Sequence, residues 1–272
     1  MLVSFTDSNP SSYDFMSQST KESAAIVLDC QDHGESDQIV TFYCQHIGRM
    51  TGIAKGAKRS QKRFVNKLEL FSSLCIRYTE ARSSSLFFIN EAELLESFIH
   101  IRQSMPLYMA ATVIRELTLV ATRDLEGDDG FFSLLQWGLQ SLDAQRPALA
   151  VLAFFQVKFF EQIGYRPNLG SCLRCHQPFG ASQDYGFDSR AGGIVCRSCQ
   201  GEWGEAALLP LSRGTIKILQ SAQDQPLSRL HRLHLSGSAL RQALTLLYHY
   251  GRNLLQREIC SLKLLSDGQW QG

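Results

Sequence analysis

Leu68-Glu-Leu-Phe-Ser-Ser-Leu-Cys-Ile-Arg-Tyr78 sets the architecture of the first part of this 272-residue chain. Leu68, Leu70, Ser72, Leu74, Ile76 and Tyr78 occupy alternate positions and share one face, the period of a half-buried strand. Four neighbouring stretches also read as strands. Residues 24–29 are a first strand, 37–43 a second after a turn at Gly34, 49–57 a third with two glycines, and 86–89 a fifth. Five short strands within about seventy residues imply a small barrel, and the five-stranded OB-fold fits best. The barrel is expected over residues 23–90, behind a polar, Ser-rich, disordered leader at 1–22.

The period changes at Glu91. Leu94, Leu95, Phe98, Ile99 and Ile101 have helical spacing, followed by amphipathic helices over 107–124 and 131–142. Pro147 suits a helix start, and residues 148–163 are apolar nearly all round, as in a central helix. Further helical patterns cover 212–222 and 238–265. The expected class is therefore α+β and multidomain. It has an OB-fold at 23–90, helical segments at 91–168 and 205–272, and a cysteine-bearing insert at 169–204.

That insert holds Cys172-Leu-Arg-Cys175 and Cys196-Arg-Ser-Cys199, twenty residues apart. C-x2-C-x20-C-x2-C is the spacing of a tetrahedral zinc site: each tight turn aims two sulfurs at one ion. Two disulfides are the competing reading. No secretory signal is visible and no stretch is apolar enough to span a bilayer, so a cytoplasmic chain with reduced thiols is expected. Cys30, Cys44, Cys75 and Cys260 lie in apolar segments and are expected as small buried hydrophobes. One structural zinc on Cys172, Cys175, Cys196 and Cys199 is the predicted metal, closed to substrate water.

The formal charge is only +1, but its distribution is uneven. Arg49, Lys55, Lys58, Arg59, Lys62, Arg63 and Lys67 fall between Gly48 and Leu68 with no acid among them. Residues 91–130 carry eight acids against three arginines, and residues 212–263 are basic again. A cationic loop on a small barrel is an electrostatic footprint for nucleic-acid phosphates. Phe42, Tyr43 and Phe64 could stack bases, although barrel core is the commoner fate of such residues. A nuclear-localisation role for the run is disfavoured by its place in a folded hairpin.

Enzyme signatures are lacking. His33-Gly-Glu35 mimics the H-x-E of zinc deaminases, but Ser171 precedes Cys172 where that class has proline, and the second cysteine pair would have no role. No Walker A, G-x-S-x-G or H-E-x-x-H run occurs. His176 could replace a cysteine as ligand, but four thiols suffice.

The chain resembles the RecO family of bacterial DNA repair and recombination mediators. The matching stretches are Gly34-Glu-Ser-Asp-Gln-Ile-Val-Thr41, Gly48, and Ala54-Lys-Gly-Ala-Lys-Arg59. Others are Phe159-Phe-Glu-Gln-Ile-Gly-Tyr-Arg-Pro167, the two cysteine pairs with Gly192-Gly-Ile-Val-Cys196, and Tyr248-His-Tyr-Gly-Arg252. The resemblance implies an OB-fold, a helical domain and a zinc insert. It also implies a non-enzymatic, nucleoid-associated protein that binds single- and double-stranded DNA and anneals complementary strands. Its implied partners are RecR, single-strand binding protein and, in some settings, RecF, with RecA the recombinase it helps to load. Some relatives lack the cysteines, so the metal is not required across the family. Without the resemblance, a zinc-ribbon RNA-binding or transcription-associated adaptor and a metal-dependent enzyme acting on nucleic acid remain alternatives.

Overall fold

A computed structural model describes residues 20–80, 86–180, 184–200 and 208–263. Residues 1–19 of the expected leader and 264–265 of the expected last helix lie outside the described residues. Five strands close a barrel: β1 (Lys21–His33), β2 (Asp37–Cys44), β3 (Gly48–Ala54), β4 (Ser73–Glu80) and β5 (Phe87–Glu96). Their order around the barrel is β1-β2-β3-β5-β4, with β3 and β5 parallel and the other pairs antiparallel. Closure removes every free edge.

The barrel boundaries differ from the sequence reading, and the third strand expected over 49–57 ends at Ala54. β1 begins at Lys21, so Lys21 and Glu22 belong to the barrel rather than to a leader. β5 continues to Glu96, past the change of period at Glu91, because two register shifts against β4 disturb its alternation. The opening stretch is strand only from Ser73 onward. Phe71 takes a left-handed conformation (φ 72°) and is buried edge-on against Tyr108, which ends the alternation begun at Leu68. Leu74, Ile76 and Tyr78 still point into the barrel with Val27, Val40, Phe42 and Met50.

Residues 25–28 of β1 are buried on both faces. Ala25 and Val27 fill the barrel, while Ile26 and Leu28 join the helical core outside it. That core is built from α1 (Ile99–Gln103), α2 (Met105–Ala121), α3 (Asp129–Asp143) and α4 (Ala148–Gln162). α5 (Arg213–Asp224) and α6 (Gly237–Leu255) complete it. α4 is central, with Phe154, Phe155, Phe159 and Phe160 all buried. The helix expected over 238–265 stops at Leu255, where Gln256 turns left-handed (φ 50°). The chain then folds back so that Ile259 and Leu262 are buried and Glu116 accepts from the N–H groups of Cys260 and Ser261.

The barrel meets the helices at the β2–β3 turn, where the acidic α2–α3 connection is used up. The His46 ring lies 2.6 Å from Asp129, and Tyr43 packs 5.3 Å from the ring of Phe131. Gly48 (φ 84°) and Gly127 allow the two backbones to touch: a Cβ on Gly127 would stand 2.2 Å from the carbonyl oxygen of His46. Across the same joint Arg115 donates to the Leu28 carbonyl and, at 2.7 Å, to Asp29.

Candidate nucleic-acid interface and metal centre

The cationic arm is the β3–β4 crossover, not a hairpin. Gly56 (φ 68°) turns the chain out of β3 into a short 3-10 turn at Ala57–Arg59. Asp37 anchors the entry by accepting from the Gly56 N–H at 2.8 Å and from the Ser36 hydroxyl at 3.0 Å. The Gly56 bond, with the Ser36 bond behind it, holds the Asp37 carboxyl below its ordinary range. Phe64 and Leu68, both buried, pin the middle of the arm into the barrel.

The seven predicted cations are not equivalent. Arg49 is tied down, at 2.5 Å from Asp124 and 2.8 Å from the Leu119 carbonyl, and it is the one member of the set paired to the acidic connection among the described residues. Lys67 spends its ammonium on three carbonyls, those of Lys62 (3.0 Å), Arg63 (3.2 Å) and Ala92 (2.7 Å), and so laces the arm to β5. Arg63 bridges the carbonyls of Lys55 and Asn90 but stays exposed. Lys58 lies 2.8 Å from Asp32, and Arg59 lies 3.3 Å from Glu35 in the β1–β2 turn. Exposed pairs of this kind are worth about 0–1 kcal/mol and exchange readily with other anions. The exposed side chain of Lys62 makes no ion pair among the described residues.

Phe42, Tyr43 and Phe64 are buried, so none of them presents a ring to solvent. Phe88, outside the predicted set, is a half-buried aromatic on the outer face of the barrel. Register pairs Ile39 with Ile53 and Ile53 with Phe88, which places the three side by side on the outer face of β2, β3 and β5. All three are half-buried, and the Lys55 ammonium sits 4.8 Å from the centre of the Phe88 ring. Thr41 and Thr51, hydrogen-bonded at 3.2 Å, extend the ridge toward Tyr43 and Arg49, where α3 covers the face. The sequence carried no clear signal for Phe88: Leu86-Phe-Phe-Ile89 is apolar throughout, and only the burial of Ile89 sets Phe88 on the opposite face. The outer face of strands 2 and 3 is where OB-folds bind oligonucleotides.

The candidate metal centre lies in the lobe between α4 and α5. β6 (Tyr185–Asp188), β7 (Gly193–Cys196) and β8 (Leu209–Leu211) form a sheet ordered β7-β6-β8, so the lobe runs past residue 204 to Leu211. All eight cysteines are free thiols. The sulfurs of Cys172, Cys175, Cys196 and Cys199 lie within 4.8 Å of one another, and His33, Glu35 and His176 are outside this group. The Cys175 and Cys196 sulfurs are 3.8 Å apart. A tetrahedral zinc with bonds of about 2.3 Å has sulfur–sulfur edges of about 3.8 Å. Burial resists ionisation of Cys172, but the N–H groups of Cys196, Cys175 and Arg174 outweigh it and bring the thiol down to about 6. Its bond to Cys196, then burial, pushes Cys199 up to about 12. Such a set needs a cation to ionise fully, and four soft sulfurs suit a closed structural site. Of the scattered cysteines Cys44 is buried, Cys30 and Cys75 are half-buried, and Cys260 is exposed where the chain folds back.

The lobe is not a separate body. Cys172, Phe187, Ile194 and Cys196 belong to the helical core. Tyr250 of α6 donates to the Tyr165 carbonyl at 2.8 Å and packs against Gly192, where a Cβ would stand 2.8 Å from its ring.

The architecture is an N-terminal OB-type barrel carried on a helical body with a four-cysteine lobe. The family model described as Recombination protein O N terminal matches residues 16–98, and that described as Recombination protein O C terminal matches 102–263. The chain is 31% identical to the DNA repair protein RecO of Syntrophus aciditrophicus, over 94% of this chain and 98% of that protein. It is 30% identical to its counterpart from Syntrophobacter fumaroxidans, over 91% and 98%, and 33% identical to one from Anaeromyxobacter, over 85% and 92%. The chain belongs to the RecO family of DNA repair and recombination proteins. No described helix is long and apolar enough to cross a membrane.

Proposed function

We propose that the protein binds single- and double-stranded DNA through the outer face of β2, β3 and β5 and anneals complementary strands. The observation that carries this reading is the ridge Ile39–Ile53–Phe88, with Lys55 against the ring, bordered by the arm. Phe88 stacks a base, and Lys55, Lys58, Arg59, Lys62 and Arg63 neutralise phosphates without reading sequence. Arg49 and Lys67, of the original seven, hold the platform in place. Annealing follows from lowered repulsion between two backbones, so no bond is broken and no catalytic residue is required.

In the cell this activity serves recombination mediation: with RecR, and RecF in some settings, the protein helps load RecA onto DNA coated with single-strand binding protein. The acidic tail of that protein needs an apolar slot beside a cation. Arg252 of α6 borders such a slot, lined by Leu117, Phe160, Ile259 and Leu262, with Glu258 also at its edge. Zinc on the four cysteines keeps the lobe and its contacts with α6 in place, and takes no part in strand pairing.

Annealing of complementary oligonucleotides, with and without single-strand binding protein, tests the proposal. Lys58→Glu/Arg59→Glu is expected to slow pairing and weaken binding for all sequences alike. Unchanged annealing in that variant would refute it, and binding without any acceleration of pairing would favour an adaptor.

A further inference from the structure

The arm is not the most weakly neutralised cationic surface of the molecule. Between residues 208 and 257 there are seven Lys or Arg and a single acid, Asp224, which is held 2.6 Å from Arg166. Arg213, Lys217, Arg229, Arg232 and Arg241 are all exposed, and none has an ion-pair partner among the described residues. In the arm, by contrast, Lys58 and Arg59 each face a carboxylate.

Local structure gathers these five. α5 buries Thr215, Ile216 and Leu219, which turns Arg213 and Lys217, one turn apart, to solvent. A 3-10 helix over Leu227–Arg232 follows, in which residues three apart eclipse. Leu227 and Leu230 therefore face the core together, and Arg229 and Arg232 stand together outside it. Gln242 of α6 accepts from the Ser212 N–H at 3.0 Å and from the Thr215 hydroxyl at 2.6 Å. That bond pair sets Arg213 and Arg241, the neighbours of Ser212 and Gln242, at one end of the α5–α6 pair. The Arg241 guanidinium folds back along the first turn of α6, 3.9 Å from where a Cβ on Gly237 would stand. Arg232 is four residues before the Ser236 cap, at most about 14 Å of chain away.

Four of the five are arginines. A planar guanidinium fork matches a phosphate through two parallel hydrogen bonds and loses little hydration in doing so. Four such groups and one ammonium, without acids among them, suit a repeating polyanion better than a single headgroup.

We infer that the α5–α6 end of the helical body, through Arg213, Lys217, Arg229, Arg232 and Arg241, is a second nucleic-acid binding surface that holds one strand while the barrel face holds another. This rests on the proposed reading of the barrel and extends it: one chain carries both strands of a pairing reaction. The second surface has no exposed aromatic in the set, so it grips the backbone and leaves the bases free to pair.

The test uses the full chain and labelled, non-complementary oligothymidine and oligocytidine strands of about 12 nucleotides, too short to span two sites. Wild type is expected to bind two strands per chain and to bring both labels into one complex. R229E/R232E/R241E is expected to keep one bound strand, lose the doubly labelled complex, and anneal about tenfold more slowly. Its overall salt slope should shrink by about 2. Thermal unfolding at the wild-type temperature shows that the variant is folded, and Arg229→Ala/Arg232→Ala is the milder substitute if it is not. Two strands per chain in the triple variant, with an unchanged slope, would overturn the inference and leave the barrel reading intact. If wild type binds no strand at all, both readings fail together. If the triple variant binds DNA normally but no longer binds an acidic peptide, the surface serves a protein and the inference is overturned.

Discussion

Lys62 and Lys67 carry the same charge five residues apart in one arm, and the structure gives them opposite work. The Lys67 ammonium donates to three carbonyls, while Lys62 projects into solvent. Lys67→Met is therefore expected to destabilise the fold by about 2–3 kcal/mol, since hydrogen bonds to a charged group are the stronger kind. Lys62→Met should leave stability unchanged and reduce the salt slope of DNA binding by about 0.7, which calorimetric unfolding and binding titrations separate. Phe88→Ala should cost about 1–3 kcal/mol of single-strand affinity in an anisotropy titration, with little change in duplex binding. Beside Asp32, whose carboxyl the bond from Lys58 holds low, the arm draws its pH dependence from Asp37. Its carboxyl is held low by the Gly56 N–H, so its contribution is complete above the unfolded value of about 3.9 and is lost as pH falls through the folded value. Asp37→Asn should flatten the acid limb of arm mobility, measured by hydrogen exchange between pH 3 and pH 5, both rough bounds.

At the scale of elements, the cysteine lobe and α6 stand or fall together. Cys172 and Cys196 sit in the helical core, and Tyr250 ties α6 to the Tyr165–Gly192 region. Structural zinc supplies on the order of 10 kcal/mol of local folding free energy. Cys172→Ser should abolish metal content and lower the unfolding temperature of the helical body as well as of the lobe, while barrel unfolding followed separately stays put. Loss of zinc with an unchanged unfolding curve would show the lobe to be independent. Much of this level was legible in sequence. The cysteine spacing located the four thiols that the fold gathers within 4.8 Å of one another, because two residues between cysteines admit few turn geometries. Alternation found the strands wherever one face alone is buried, as in Leu74, Ile76 and Tyr78. It failed at Phe71, where a left-handed residue packed under Tyr108 interrupts the pattern, and at β5, where register shifts move side chains between faces. The helix break at Gln256 had no glycine or proline to announce it. Charge counting found the arm but could not see that Arg49 and Lys67 are consumed by acceptors distant in sequence.

The whole molecule is a barrel bolted to a helical body at the β2–β3 turn, and the bolt leaves one end of the barrel face open. Tyr43 and Arg49 lie beneath α3 and its preceding loop, whereas Ile39, Ile53 and Phe88 remain accessible on the same face. Gly127→Ala forces a Cβ against the His46 carbonyl and should loosen this joint, with limited proteolysis cutting between residues 122 and 128 before either part unfolds. The most direct measurement is the salt dependence of oligothymidine binding by wild type and by a Lys55→Glu/Lys58→Glu/Arg59→Glu/Lys62→Glu variant. The expected result is a slope smaller by about 3 and a matching loss of affinity at low salt, with the unfolding temperature preserved. An identical slope and affinity in the two proteins would mean that the barrel face does not meet the phosphates, and would contradict the function proposed for it.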